Sequence, residues 1–381
     1  MWPNDRFIKL CGIELPIIQA PMAGSALSDM VVEVSQAGGL GSLACALLSV
    51  EQARKELETI RRRTSRPINA NFFCHNPPRD DRAREMNWRQ RLDAYYTQLQ
   101  ADSNTSIPQS ARAPFDEKTC DLVMEFHPEA VSFHFGLPDK NLLIRVKSTG
   151  AKILSTATSV DEARWLEDQG CDAIIAQGFE AGGHRGMFLT KDVSSQVGTM
   201  ALVPQVVDAV KVPVIAAGGI ADARGILAAF ALGAAAVQIG TAYLHCPEAQ
   251  ISPLYRQALK GTRENETAVT NVFTGRPARA IVNRFMREVG PMSDVAPDFP
   301  LAAAALAPLR AKSEMAGSTD FTPFWLGQAA PLGRELPAAE LTKQLAVEAL
   351  RNLGVAADRG MRGLTDPPRE AVARIESSSP G

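Results

Sequence analysis

The stretch AIIAQGFEAGGHRG, residues 173–186, decides the fold. It opens as a strand-length apolar run, AIIAQG (173–178), and runs on as AQGFEAGGHRG (176–186), a loop with four glycines and one histidine. Glycine serves such a loop as a tight turn or as a place where backbone approaches a ligand closely. Which strand the loop follows separates the two parallel-sheet architectures. In a doubly wound open sheet the glycine signature follows the first strand. Here the count of apolar runs before it is what matters.

Eight such runs recur along the chain: PIIQAPM (16–22), LGSLAC (40–45), INANFF (68–73), AVSFHF (130–135), KILSTA (152–157), AIIAQG (173–178), PVIAAGG (213–219) and AVQIGT (236–241). They do not alternate, as expected of strands buried on both faces of a parallel sheet. Amphipathic stretches such as SVDEARWLEDQG (159–170) and ADARGILAAFALG (221–233) lie between them and end in glycine, as a helix C-cap would. Eight β-then-α units whose glycine loops follow the sixth and seventh strands predict a (β/α)8 TIM barrel.

The spacing breaks between the third and fourth runs, where residues 75–129 form a long polar and aromatic insertion, helical around Arg82–Leu99. Residues 1–244 are therefore expected to form the barrel with this insertion. Residues 245–366, rich in proline, are expected to form a helical cap over its mouth, and residues 367–381 a polar tail.

The chain has 381 residues, 45% of them hydrophobic and 22% charged, with a formal net charge of −2. This is the balance of an ordinary soluble globular protein, with nothing that suggests binding to nucleic acid or to an anionic membrane. The six cysteines are scattered without a C-x-x-C pair, which predicts reduced thiols in a cytoplasmic protein. The first residues carry charges where a signal peptide needs an apolar core, and no stretch has the ~18 apolar residues of a membrane span.

In a barrel, residues just past the strands' C-terminal ends converge on one mouth. Those positions hold Gln19, Pro21 and Met22, then Asn71, His134, Gln177 with the loop to Arg185, Gly218–Gly219, and Gln238 to Thr241. AAGGI (216–220) and QIGT (238–241) together suit an anion, because paired glycines let backbone N–H groups approach a phosphate. Tight turns without a ligand would use the same glycines. His184 is one of only five histidines, and its flanking glycines should expose it to anything bound at the mouth. Imidazole titrates near neutrality and can exchange a proton with a substrate carbon. His134 ends a buried strand, where a structural and a functional role are equally open, and Glu180 reads as an orienting carboxylate. No G-x-S-x-G is present, and acidic residues do not cluster at the strand ends, so no metal site is expected. The mouth is uncharged apart from His134, His184 and Arg185. Such a site suits a cofactor that brings its own chemistry, and Gln and Asn side chains beside a phosphate seat suggest flavin mononucleotide, FMN.

QAPMAG, AGGLGSL, N-x-N-F-F, SFHFG, QGFEAGGHRG, PVIAAGGIAD and QIGTAYL, in this order from Pro16 to Leu244, resemble the nitronate monooxygenases, once called 2-nitropropane dioxygenases. The resemblance continues more weakly through FTGRPARAIVNRF (273–285) and PFWLGQAA (323–330). It implies an FMN enzyme that oxidises alkyl nitronates such as propionate-3-nitronate with O2, giving nitrite and a carbonyl compound. By motif, flavin contacts fall on Pro21, Met22, Asn71, Gln177, Gly182, Gly183, Gly218, Gly219, Gln238, Ile239, Gly240 and Thr241. His184 takes the catalytic position, His134 lines the pocket, and Lys312 lies near flavin or substrate. The partners implied are a small nitronate or nitroalkane and O2, with room for a homodimer. MAGSALSD (22–29) departs from the family pattern, which leaves the substrate open. EAGGH-x-G and AAGGI are shared with flavin-dependent enoyl reductases, so an NAD(P)H-dependent flavin reductase acting on an enoyl thioester or a quinone is the alternative.

Overall fold

A computed structural model describes residues 2–78, 81–102 and 112–365, without the side chains of 355–365; the tail 367–381 lies outside the described residues. In chain order the strands are β1 (Ile17–Gln19), β2 (Gly41–Ala44), β3 (Ile68–Phe73), β4 (Ala130–His134), β5 (Lys152–Ala157), β6 (Ala173–Gln177), β7 (Gly183–His184), β8 (Val214–Ala217), β9 (Ala236–Ile239), β10 (Thr267–Thr270) and β11 (Ala278–Ile281). Eight of them, ordered β1-β9-β8-β6-β5-β4-β3-β2, form one parallel sheet, and each falls inside one of the apolar runs. Its two edges meet at a bridge between Ile18 and Leu40. There Gln19 N donates to Leu40 O at 3.1 Å and Leu40 N to Ile17 O at 2.9 Å, which closes the sheet into a TIM barrel.

Local chemistry explains the helices around it. Ser159 accepts from Glu162 N and starts Val160–Asp168, while Asp222 accepts from Arg224 N and Gly225 N and starts Ala223–Ala231. Each capped end satisfies backbone donors that the helix cannot pair itself. Gly170 (φ 89) and Gly233 (φ 94) end these units in a left-handed conformation that other residues resist.

The barrel interior changes character along its axis. At the strands' N-terminal ends the helix Arg6–Cys11 brings Phe7 and Cys11 against Ile18, Leu40, Leu154, Ile175 and Ile215, an apolar floor. Above it the interior turns polar. Asn69 Nδ2 donates to Ser42 Oγ (3.0 Å) and Ser132 Oγ (2.9 Å), and Asn71 Nδ2 to Ser132 Oγ (2.9 Å). Such pairing offsets the cost of burying these amides and hydroxyls, though Asn69 Oδ1 has no partner among the described residues.

The insertion is shorter than residues 75–129. Its helix Arg82–Leu99 is present, but Glu117–Phe126 packs in the outer ring between β3 and β4, its Cys120, Leu122 and Val123 buried in the main core. Arg82–Leu99 lies against the helix Ala302–Met315, where Trp88, Leu92 and Tyr95 join Phe285, Leu309 and Phe321 in a second core. The segment after Thr241 is also not purely helical. β10, β11 and β7 form a small antiparallel sheet, which the short runs TAVT and ARAI did not advertise as strands. The long helix Ala338–Thr365 then leaves this region and packs on Ser28–Gln36 and Ala223–Ala231, as the last member of the barrel's outer ring.

Candidate active site

A cavity of about 1390 Å³, its open mouth included, lies at the C-terminal ends of the barrel strands. Pro21, Met22, Asn71, His134, Gln177, Gly182, Gly183, His184, Gly218, Gly219, Gln238, Gly240 and Thr241 all line it. Two expected residues do not. Ile239 points outward, fully buried in the core between barrel and helices, because side chains alternate along β9. Lys312 is exposed on Ala302–Met315, whose Leu309 and Ser313 face inward one position out of phase with it.

His184 is held at three points. Its backbone pairs through β7 with Ala278 of β11. Its carbonyl accepts from Gln177 Nε2 (3.0 Å) and from His134 Nε2 (3.1 Å). Its ring Nε2 lies 3.0 Å from Thr274 Oγ1. The ring is not exposed, as the flanking glycines had suggested, but half-buried among aromatic rings, with centroids 5.2 Å from Phe299 and 5.3 Å from Trp325. Burial is the main force holding its pKa well below the ordinary value, and the charges of Arg112 and Arg276 add to it, so the imidazole is neutral at pH 7.

His134 has a fixed tautomer. A carbonyl can only accept, so Nε2 donates to His184 O and Nδ1 accepts from the Thr156 hydroxyl at 3.0 Å. Burial lowers its pKa to about 3. Both ring nitrogens are engaged, and His134 braces the His184 backbone. Gln177 does the same from the other side, its Oε1 accepting from Gly186 N at 2.8 Å. Gly186 must be glycine, since a Cβ would lie 2.5 Å from Thr156 Cγ2.

Arg185 turns away from the mouth. It is fully buried and donates to Gly178 O (2.7 Å), Gln177 O (2.7 Å) and Gln196 Oε1 (2.9 Å), tying the loop's two ends together. Glu180 likewise serves the backbone, accepting from Thr199 N at 2.9 Å at the head of Thr199–Ala209. Among the described residues, the guanidinium that does line the cavity is that of Arg112, from the insertion. Phe73, Thr156, Tyr255 and Trp325 also line it; Phe73 and Thr156 stand at the ends of apolar runs and Trp325 in PFWLGQAA, whereas Tyr255 carried no signal in the sequence.

The cavity's polar groups fit a phosphorylated heterocycle. Gln238 Oε1 is buried with no hydrogen-bond partner among the described residues, an acceptor waiting for a donor. Gly183 (φ 73) has no atom within 4 Å of where a Cβ would stand, and Gly218 and Gly219 (φ 107 and 71) are likewise left-handed and line the cavity, a Cβ on Gly218 falling 3.1 Å from Gly178 O and Ala181 N. Fold and cavity thus define a class: a TIM-barrel enzyme working at the usual mouth.

Comparison with known proteins narrows the class. The family model described as nitronate monooxygenase matches residues 4–348. A nitronate monooxygenase of Pseudomonas aeruginosa is 42% identical over 91% of this chain and 99% of its own length. A probable nitronate monooxygenase of Staphylococcus aureus is 37% identical over 91% of this chain and 97% of its own length. Among solved structures, a nitroalkane oxidase from Streptomyces ansochromogenes superposes with a TM-score of 0.82 at 35% identity, covering 91% and 99% of the two chains. FabK from Thermotoga maritima superposes with a TM-score of 0.71 at 27% identity, covering 94% and 100%. The chain belongs to the nitronate monooxygenase family, a flavin-dependent class of oxidoreductase.

Proposed function

We propose that this protein oxidises alkyl nitronates, propionate-3-nitronate among them, with O2, releasing nitrite and a carbonyl compound, and that its flavin is FMN. The observation that carries this is His184, its backbone braced on the wall of a mouth cavity that, among the described residues, is lined by one guanidinium, Arg112, placed to favour an anion. Gly218, Gly219, Gly240 and Thr241 would hold the FMN phosphate, and Asn71, Gln177 and Gln238 its ring. When bound, FMN supplies the redox chemistry, taking electrons from the substrate and returning them to O2.

The protein's own residues do the rest. Arg112 raises the local positive potential, which favours an anionic nitronate over its neutral acid. The aromatic wall of Phe73, Phe299 and Trp325 around His184 excludes water and strengthens each electrostatic contact. When a neutral nitroalkane enters, His184 removes its α-proton. Its lowered pKa keeps it unprotonated for that task across the neutral range. The free state of all six cysteines supports work in a reducing compartment, the cytoplasm. Among the described residues no helix is long and apolar enough to cross a membrane.

The test is the visible spectrum of the FMN-loaded protein under anaerobic conditions. Propionate-3-nitronate alone should bleach the flavin bands, and air should restore them with release of nitrite. Bleaching by NADPH or NADH but not by the nitronate would overturn the proposal in favour of the reductase.

A further inference from the structure

We propose that Thr274 is a positioning residue that holds His184 as its Nε2–H tautomer, so that Nδ1 is the atom that takes the substrate proton. This rests on His184 being the base, and it adds which nitrogen acts and what selects it.

The geometry begins with the turn that carries Thr274, between β10 and β11. Asn271 locks that turn to the neighbouring segment. Its Nδ2 donates to Ser293 O and its Oδ1 accepts from Ser293 N, each at 2.9 Å. Gly275 N returns to Asn271 O at 2.7 Å. Gly275 (φ 87) is pressed so close to Pro297 that a Cβ would fall 2.0 Å from its carbonyl oxygen. Thr274 itself is 2% exposed, so its hydroxyl sits on a backbone with no freedom to wander.

That hydroxyl has one proton. Oγ1 lies 3.3 Å from Arg276 O, which can only accept, and we assign the proton to that carbonyl. With the proton so assigned, Oγ1 meets His184 Nε2, 3.0 Å away, as an acceptor, and Nε2 carries the hydrogen. In a neutral imidazole the other nitrogen then holds the lone pair. Nδ1 takes no hydrogen-bond partner among the described residues, on a ring that lines the cavity.

The step follows. The α-carbon C–H bond of a neutral nitroalkane breaks, its electron pair stays on the substrate as the nitronate, and the proton forms a bond to Nδ1. The resulting imidazolium keeps Nε2–H bonded to Thr274, now a hydrogen bond from a charged donor and stronger for it. Thr274 acts through His184 and touches no reacting atom.

The experiment uses the FMN-loaded protein with ¹⁵N-labelled histidine. There are five histidines, and the His184 signals are identified by their loss in His184→Asn. In the native protein and in Thr274→Ser, His184 should show a protonated Nε2 and a pyridine-type Nδ1. In Thr274→Val that single tautomer should be lost. With nitroethane as substrate, kcat of Thr274→Val should fall about tenfold or more, the loss expected for a hydrogen bond to a charged group, with KM little changed. Thr274→Ser should restore it. A proton on Nδ1 in the native protein, or a Thr274→Val variant that keeps both tautomer and kcat, would overturn the proposal. Should His184→Asn turn over nitroethane unimpaired, the base assignment fails separately, because the tautomer is read on the resting protein.

Discussion

His134 donates its Nε2–H to the main-chain carbonyl of His184, 50 residues further along the chain, at 3.1 Å. One histidine thereby sets the backbone on which the other stands. Because that carbonyl is shared with Gln177 Nε2, the His184 peptide is fixed from two sides.

His134→Asn removes the Nε2 donor while keeping an amide near the former Nδ1. Small misplacement of a catalytic group is costly, so kcat on a neutral nitroalkane should fall roughly 10- to 100-fold with flavin still bound. His134→Gln, whose amide reaches further, should recover part of the loss. Steady-state kinetics on protein of matched flavin content will tell, and equal losses in both variants would contradict the bracing role.

Stability should fall with acid. Burial lowers His134 to about 3 and His75 to about 4, against an ordinary value of 6.5. Between those values the unfolded chain binds protons that the folded one refuses, so stability is full above pH 6.5 and declines as pH drops towards 4. The slope is up to about 1.4 kcal/mol per pH unit for each histidine. Urea midpoints should therefore drop between pH 7 and pH 5, less steeply in His134→Asn. A flat profile would mean these imidazoles are charged in the folded protein.

Arg185→Leu should damage the fold before it damages binding. It leaves Gly178 O, Gln177 O and Gln196 Oε1 without their donor, which costs roughly 2–5 kcal/mol. Chemical denaturation measures this directly. A raised KM with stability intact would instead return Arg185 to the substrate side of the loop.

Gln238→Leu separates the cofactor from the scaffold. Removing a buried acceptor that has no partner should leave the flavin-free protein no less stable. FMN affinity, followed by flavin fluorescence, should weaken about tenfold through the lost hydrogen bond. Unchanged affinity would show that Gln238 does not face the flavin.

The barrel was legible because strands buried on both faces leave unbroken apolar runs, and because their C-terminal ends converge on one mouth. Asn71, His134, Gln177 and the glycines of 218–219 could be placed by that rule alone. What escaped depends on contacts between distant parts of the chain. Thr274 meets His184 across 90 residues of sequence. Arg112 reaches the cavity from the insertion, while Arg185, the sequence neighbour of His184, is turned back by the pairing of β7 with β11. Lys312 was placed by a loose motif, and helical phase puts it outside.

The long helix Ala338–Thr365 gives the order of synthesis a structural meaning. Its Ala338, Leu341, Leu345 and Ala349 are buried against Ser28–Gln36 and Ala223–Ala231, which belong to the first and the last-but-one units of the ring. All barrel strands and the whole cap leave the ribosome before it does. Until it emerges, the nascent barrel carries an open apolar seam from β9 round to β1, and a ribosome stalled just before this helix emerges would hold the mouth and its cap on an unsealed wall.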